Sequence, residues 1–186
     1  MQISFIVTVY NRENTIERCL QSITNSFKNN IQNLEIIIIN DYSLDRSKNI
    51  IDNFFKKNNI KHLIINNSRN KGSNYSKDIG LKKSTGLWSV LLDSDDELCM
   101  EYKELKKYFI KYSDYSIISF KCMYSNLKKI GYQSEKTIKL SFEFYVNNFH
   151  KVYEKLDCIK TENFKLKSNS FFDPNIHLGC EFISWS

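Results

Sequence analysis

The chain has 186 residues, 41% hydrophobic and 14% aromatic, with one proline, five glycines and a formal net charge of +6. That length and apolar content suffice for one domain with a core of several strands and helices, and they exclude a disordered chain or one broken by a flexible linker. The charge suits an anionic partner, but the lysines are dispersed and form no basic stripe interleaved with aromatics, so nucleic acid is not expected as a partner.

Ile3 to Val9 is continuously apolar and branched, the pattern of a buried parallel strand. Ile16, Leu20 and Ile23 recur at helical spacing with Cys19 on the same face, and Asn11 is the expected N-cap. Leu34 to Ile39 predicts a second buried strand, closed by Asn40 and Asp41. A helix from about Ser43 would place Ile50, Ile51, Phe54 and Phe55 on one side. Ile60 to Ile65, Ser73 to Ser84 and Leu87 to Leu92 continue as strand, helix and strand. This alternation predicts an α/β domain built on a mainly parallel sheet flanked by helices. Ligands of such sheets bind at the carboxyl ends of the strands, where Thr8, Tyr10, Asp41 and Asp93 to Asp96 would lie.

After Met100 the alternation stops. A helix to about Tyr112 and a strand over Tyr115 to Phe120 are expected, then an aromatic-rich helix over Ser141 to Tyr153 and an apolar segment from Phe171 to Trp185. The chain is read as one domain, residues 1–186, in which the alternating pattern fills residues 1–98 and residues 99–186 form a smaller half that is short or C-terminally truncated. The five cysteines are scattered without a CxxC pair, which speaks against a zinc or disulfide framework and for a reducing, cytoplasmic setting. Met1 runs directly into the first strand and no apolar run is long enough to cross a bilayer, so a soluble or peripheral protein without a leader is expected.

Asp93-Ser94-Asp95-Asp96-Glu97 places four carboxylates within five residues. They repel one another unless a cation or solvent relieves them, and their hard oxygens suit Mg2+ or Mn2+ bridged to substrate phosphates. The plain alternative is a solvated acidic turn in which Asp96 and Glu97 favour the N-terminus of the next helix.

Three segments in order and spacing resemble the family 2 glycosyltransferases of GT-A fold, the inverting enzymes of bacterial surface-glycan synthesis. They are Ile6-Val7-Thr8-Val9-Tyr10-Asn11, Ile36 to Asp45 and Leu91-Leu92-Asp93-Ser94-Asp95-Asp96. Between them Asn70-Lys71-Gly72 and Ser76-Lys77-Asp78-Ile79-Gly80 resemble two further family segments. The resemblance covers the first hundred residues and thins beyond.

It implies that Tyr10 packs on the nucleotide base with Thr8 beside it, that Asp41 accepts the uracil N3–H, and that Lys77 lies near the diphosphate. Asp93, with Ser94, would reach the ribose or a metal-bound water, Asp95 would ligate the metal directly, and Asp96 would hold the loop or share the ion. Asn40 stands where the family has an acid, and Tyr42 where it has the glycine of the turn. Because tyrosine adopts positive φ less cheaply than glycine, the loop is expected to take another path.

Phe172 to Glu181 resembles the late segment that supplies the general base, with Cys180 and Glu181 in place of the usual Glu-Asp pair. Glu181 is thus the candidate base; His177 and Asp173 are its rivals, and Cys180 has no partner arrangement for a nucleophile.

The implied function is transfer of a hexosyl or N-acetylhexosaminyl group from a nucleoside-diphosphate sugar, a UDP-sugar on the Asp41 readout, to a hydroxyl of a surface-glycan or lipid-linked acceptor with Mn2+ or Mg2+. Lipid-linked acceptors would bring the protein to the inner face of the cytoplasmic membrane. Two alternatives stand beside it. A sugar-phosphate nucleotidyltransferase would need a glycine-rich loop after the first strand, which Tyr10-Asn11-Arg12-Glu13 is not. A relic that binds nucleotide without transfer would account for Asn40, Tyr42 and Cys180.

Overall fold

A computed structural model of the chain describes residues 1–122 and 155–162. β1 (Ile3–Val9), β2 (Leu34–Asn40), β3 (Lys61–Asn66) and β4 (Trp88–Leu91) run parallel, linked by α1 (Ile16–Ser26), α2 (Ser47–Lys57) and α3 (Ser73–Lys83). α4 (Tyr102–Lys111) follows, then β5 (Ile117–Lys121) and β6 (Lys155–Lys160). The six strands form one sheet in the order β3-β2-β1-β4-β6-β5, with β6 antiparallel to both neighbours.

Strands β1 and β2 are apolar on both faces because both faces are covered. Ile3, Phe5, Val7 and Val9 of β1 and Ile36 and Ile38 of β2 join the larger core. It is closed by Ile16, Leu20 and Ile23 of α1, Ile51 and Phe54 of α2 and Leu105 and Phe109 of α4. The opposite face, with Ile6, Ile37 and Ile39, packs against α3. Gly80 permits this approach, since a Cβ there would lie 2.3 Å from Ile6 Cγ2. α3 is unusual in burying polar side chains, Asn74, Ser76, Lys77 and Asp78.

The elements expected from the sequence over residues 1–120 are present, with corrected ends. Asn11 is not the N-cap of α1. The helix begins at Ile16, and Asn11 instead turns the chain with φ 51°. α2 starts at Ser47 rather than near Ser43, because residues 41–46 are occupied by the loop described below. The antiparallel β6, inserted between β4 and β5, was not anticipated; its short alternation Leu156-Asp157-Cys158 lies amid polar sequence. The helix expected over Ser141 to Tyr153 and the segment from Phe171 to Trp185 lie outside the described residues. Among the described residues no helix is long and apolar enough to cross a membrane.

At the amino ends of the strands, Glu35 is a buried carboxylate with four donors. Ser4 Oγ donates at 2.5 Å, Thr85 N–H at 2.9 Å and Thr85 Oγ1 at 2.8 Å, and Lys61 Nζ pairs with it at 2.7 Å. Burial raises its pKa, but Lys61, Ser4 and Thr85 outweigh that effect and hold it below the usual value of 4.5. A carboxyl whose pKa is lower folded than unfolded stabilises fully above its unfolded value and loses that contribution as pH falls through the folded one. Glu35→Gln should therefore cost about 2–3 kcal/mol at neutral pH, by stranding donors around a neutral amide. It should also flatten the acid limb of stability below about pH 4.5, both read by urea unfolding across pH.

Candidate functional site

The loops that leave β1 and β2 are laced together at the carboxyl edge of the sheet. Asn11 N–H donates to Ser43 Oγ at 3.1 Å, and Leu44 N–H donates back to Asn11 Oδ1 at 2.9 Å. Arg12 N–H reaches Ser47 Oγ at 2.7 Å, and Glu13 N–H reaches Asp45 Oδ2 at 3.0 Å. Burial raises the pKa of Asp45, but bonds from Ser47 and the Glu13 N–H outweigh it and hold the carboxyl below its usual range. Asn40 Oδ1 accepts Ser43 N–H at 3.1 Å while its amide donates to Asn66 Oδ1 at 2.9 Å. An aspartate at position 40 could not make that second bond. Tyr42 adopts φ 66°, so the loop keeps a left-handed turn at this residue. The expectation that tyrosine would force another path is corrected: the surrounding bonds impose the turn on it.

Asp41 is 3% exposed and faces the loop after β3. Its Oδ1 accepts Asn67 Nδ2 at 2.7 Å and Lys71 N–H at 2.9 Å, and Oδ2 accepts Gly72 N–H at 2.8 Å. Three of a carboxylate's roughly four acceptor sites are thereby filled from within the chain. The bonds close the turn that starts α3, with Gly72 at φ 86°.

One turn into α3, Lys77 is buried and its Nζ pairs with Asp93 Oδ1 at 3.1 Å. Asp93 itself is half exposed, at 52% of its side chain. Leu92 N–H extends the ladder to Ile6 O at 3.1 Å, and the chain then turns through Asp93 to Asp96, with Asp96 N–H bonded to Asp93 O at 3.0 Å. α1 supports this turn from behind. Cys19 Sγ donates to Asp93 O at 3.6 Å, Arg18 Nη2 to Asp95 O at 3.0 Å, and Leu98 N–H reaches Ser22 Oγ at 2.9 Å. Arg12 Nε stands 3.5 Å from Asp95 Oδ2, and Arg18 Nε lies 2.9 Å from Glu97 Oε1.

The turn does not cap a helix. α4 begins at Tyr102, five residues beyond Glu97, and its first turn is served by Glu104, which accepts Glu101 N–H at 3.1 Å. The acidic run is thus free of the role that its plain alternative required. Cys19 is inert: burial, followed by the charges of Asp96, Asp93 and Asp95, pushes its thiol up to about 12.

Of the residues singled out in the sequence, Lys77 and Asp93 meet directly. Tyr10 and Asp95 are joined through Arg12, whose Nη1 donates to Tyr10 O at 3.5 Å. Thr8 is half-buried near the end of β1, Ser94 is buried, and Asp95 and Asp96 are exposed. Among the described residues no three His, Cys, Asp or Glu side chains are gathered as a cage for a metal ion. Glu181, His177, Asp173 and Cys180 lie outside the described residues. Arg12, Arg18, Asn67 and Ser43 were missed. The signal for Arg12 was its place two residues after Tyr10, opposite in charge to the acidic run; the roles of Asn67 and Ser43 depend on contacts between loops.

Asp41→Asn should cost about 1–3 kcal/mol, because an amide cannot accept on both of its ends and leaves a buried N–H of the loop unpaired. Hydrogen exchange should show protection lost at the Lys71 and Gly72 amides while β1 and β2 stay protected. A variant with unchanged protection there would show that the loop holds itself by other means.

The chain matches the model of the family described as Glycosyl transferase family 2 over residues 4–173. It is 33% identical over 97 residues to a GalNAc(5)-diNAcBac-PP-undecaprenol beta-1,3-glucosyltransferase of Campylobacter jejuni, across 52% of this chain and 30% of that protein. In fold it is similar to S. aureus TarS 1-349 in complex with UDP, with a TM-score of 0.73 and 18% identity over 97% of this chain and 53% of that one. It is also similar to the mannosyltransferase PcManGT of Pyrobaculum calidifontis in complex with GDP-Man and Mn2+, with a TM-score of 0.66 and 15% identity over 94% of this chain and 48% of that one. The chain spans under a third of the Campylobacter protein and about half of each structural neighbour. With the parallel β3-β2-β1-β4 core and an acidic turn after β4, the family match leads to one conclusion: the chain belongs to glycosyl transferase family 2 and has the α/β fold of the GT-A glycosyltransferases.

Proposed function

We propose that this chain is the donor-binding and catalytic domain of an inverting glycosyltransferase that uses a UDP-sugar and a divalent cation. The observation that carries the reading is the Asp93 to Asp96 turn at the carboxyl edge of the sheet, which presents two half-exposed carboxylates beside a buried lysine. Residues 1–98 form the nucleotide-sugar half, and residues 99–186 belong to the acceptor side.

The acidic turn fits a hard cation. Asp93 and Asp95 offer exposed oxygens, and Mg2+ or Mn2+ is ordinarily held by one or two carboxylates together with substrate phosphates rather than by an all-protein cage. Asp95 would be the direct ligand, with Asp93 and Asp96 beside it. When bound, the ion would neutralise charge that develops on the departing nucleoside diphosphate. Lys77 adds a fixed positive charge at the same place, and its burial makes that charge count for more than it would in water.

Tyr10 offers an exposed ring for the base, with Thr8 behind it. Asp41 Oδ2 retains one acceptor site for the uracil N3–H, and the bonds from Asn67, Lys71 and Gly72 hold the carboxylate in place. That readout selects uracil over bases without a donor at that position, and the UDP complex of the similar S. aureus fold supports a UDP-sugar. Glu181 would take the proton of the acceptor hydroxyl as the new glycosidic bond forms. The lipid-linked substrate in the name of the Campylobacter relative supports a lipid-linked or surface-glycan acceptor, met at the cytoplasmic face of the membrane.

UDP with Mn2+ at a hundredfold excess over its Kd should raise the melting temperature by roughly 5–10 °C. Asp95→Ala should remove the Mn2+-dependent part of that shift. Glu181→Gln should lower release of UDP from a panel of UDP-sugars at least ~100-fold while leaving UDP binding within twofold. A chain whose melting is indifferent to UDP and Mn2+ would refute the reading. Tight UDP binding without turnover on any donor would instead identify the nucleotide-binding relic.

A further inference from the structure

Tyr42 carries a backbone cost at an exposed position. With φ at 66° its Cβ crowds the backbone, a conformation that is an outlier for a bulky residue. Neighbouring bonds impose it: Asp41 N–H to Val9 O at 2.8 Å on one side, and Ser43 N–H to Asn40 Oδ1 at 3.1 Å on the other. Val9 pairs with Asn40, so Asn11 and Tyr42 stand two residues beyond the same rung, and both turn left-handed. Asparagine tolerates that turn, and Asn11 uses its side chain to accept Leu44 N–H. Glycine would tolerate it at position 42. The tyrosine is 46% exposed, and among the described residues its ring packs on no other ring and its hydroxyl bonds to none.

Strain that persists at an exposed side chain, over-determined by its surroundings, marks a ligand contact better than a folding contact. The turn sits immediately after the Asp41 carboxylate and on the loop laced to Tyr10 and Asn11. An unpartnered aromatic face suits a flat ligand with a π-face, and stacking of a base on such a ring is largely indifferent to which base it is. We infer that Tyr42 supplies a second aromatic surface for the nucleobase of the donor, in addition to Tyr10. This rests on the nucleotide-sugar reading above. It also assigns discrimination between bases to Asp41, with the two rings contributing affinity alone.

The test uses the 186-residue chain and its Tyr42→Gly and Tyr42→Phe variants, titrated calorimetrically with UDP and separately with pyrophosphate, each with Mn2+. Tyr42→Gly should melt roughly 2–4 °C higher without nucleotide, because the strain is gone. It should bind UDP roughly 5- to 100-fold more weakly and pyrophosphate within twofold of the unchanged chain. Tyr42→Phe, which keeps the ring, should match the unchanged chain for both ligands. UDP affinity unaltered in Tyr42→Gly would overturn the inference, as would equal losses for UDP and pyrophosphate, which would place the effect at the phosphates. If the unchanged chain itself binds no UDP, the nucleotide reading fails and this inference falls with it.

Discussion

The carboxylate of Asp41 holds together the part of the molecule on which the site depends. It directly follows β2, yet its three acceptor bonds all go to the loop after β3 and the first residues before α3. A buried carboxylate without donors would be expelled or neutralised, so its burial and the path of the 67–72 loop are one constraint seen from two sides. α3 inherits its starting point from that loop. Its close packing on β1, allowed by Gly80, then fixes where Lys77 emerges beneath the acidic turn.

The acidic turn shows how like charges can be kept together. Cations from three separate elements meet it: Lys77 of α3, Arg12 of the β1 loop and Arg18 of α1. Only Lys77 is buried. The two arginine pairs are solvent-exposed and of the kind whose contribution to stability is small. Their value is positional, since the guanidinium of Arg18 also bonds the backbone of Asp95 and so fixes the turn as well as its charge. On the proposed reading, a divalent ion would arrive at a turn already shaped by protein cations that it can in part replace.

Much of this was legible in the residues. Continuous apolar runs in β1 and β2 required a sheet covered on both faces, because an uncovered face would have alternated with polar residues. The order of strands and helices then placed Tyr10, Asp41 and the acidic run at one edge. Three features were not legible. α3 buries polar residues, so its helical face cannot be read from hydrophobic spacing. β6 arrives from far along the chain and owes its place to pairing with β4 and β5 rather than to a strong pattern of its own. Asn11 had the right composition for a helix cap and serves a turn instead, because the facing loop offers Leu44 N–H to its side chain.

The sequence by itself determined the fold class, the edge at which the chemistry collects and the family, since these follow from hydrophobic periodicity and from motifs whose spacing is local to the chain. Only the tertiary structure decided what each polar residue is bonded to. It made Asp41 the anchor of a loop, turned Lys77 inward to meet Asp93, and held Tyr42 in a turn that tyrosine would not choose. The reason is physical: burial and hydrogen-bond partners are properties of segments brought together from distant positions, and a side chain's own neighbours in sequence do not specify them.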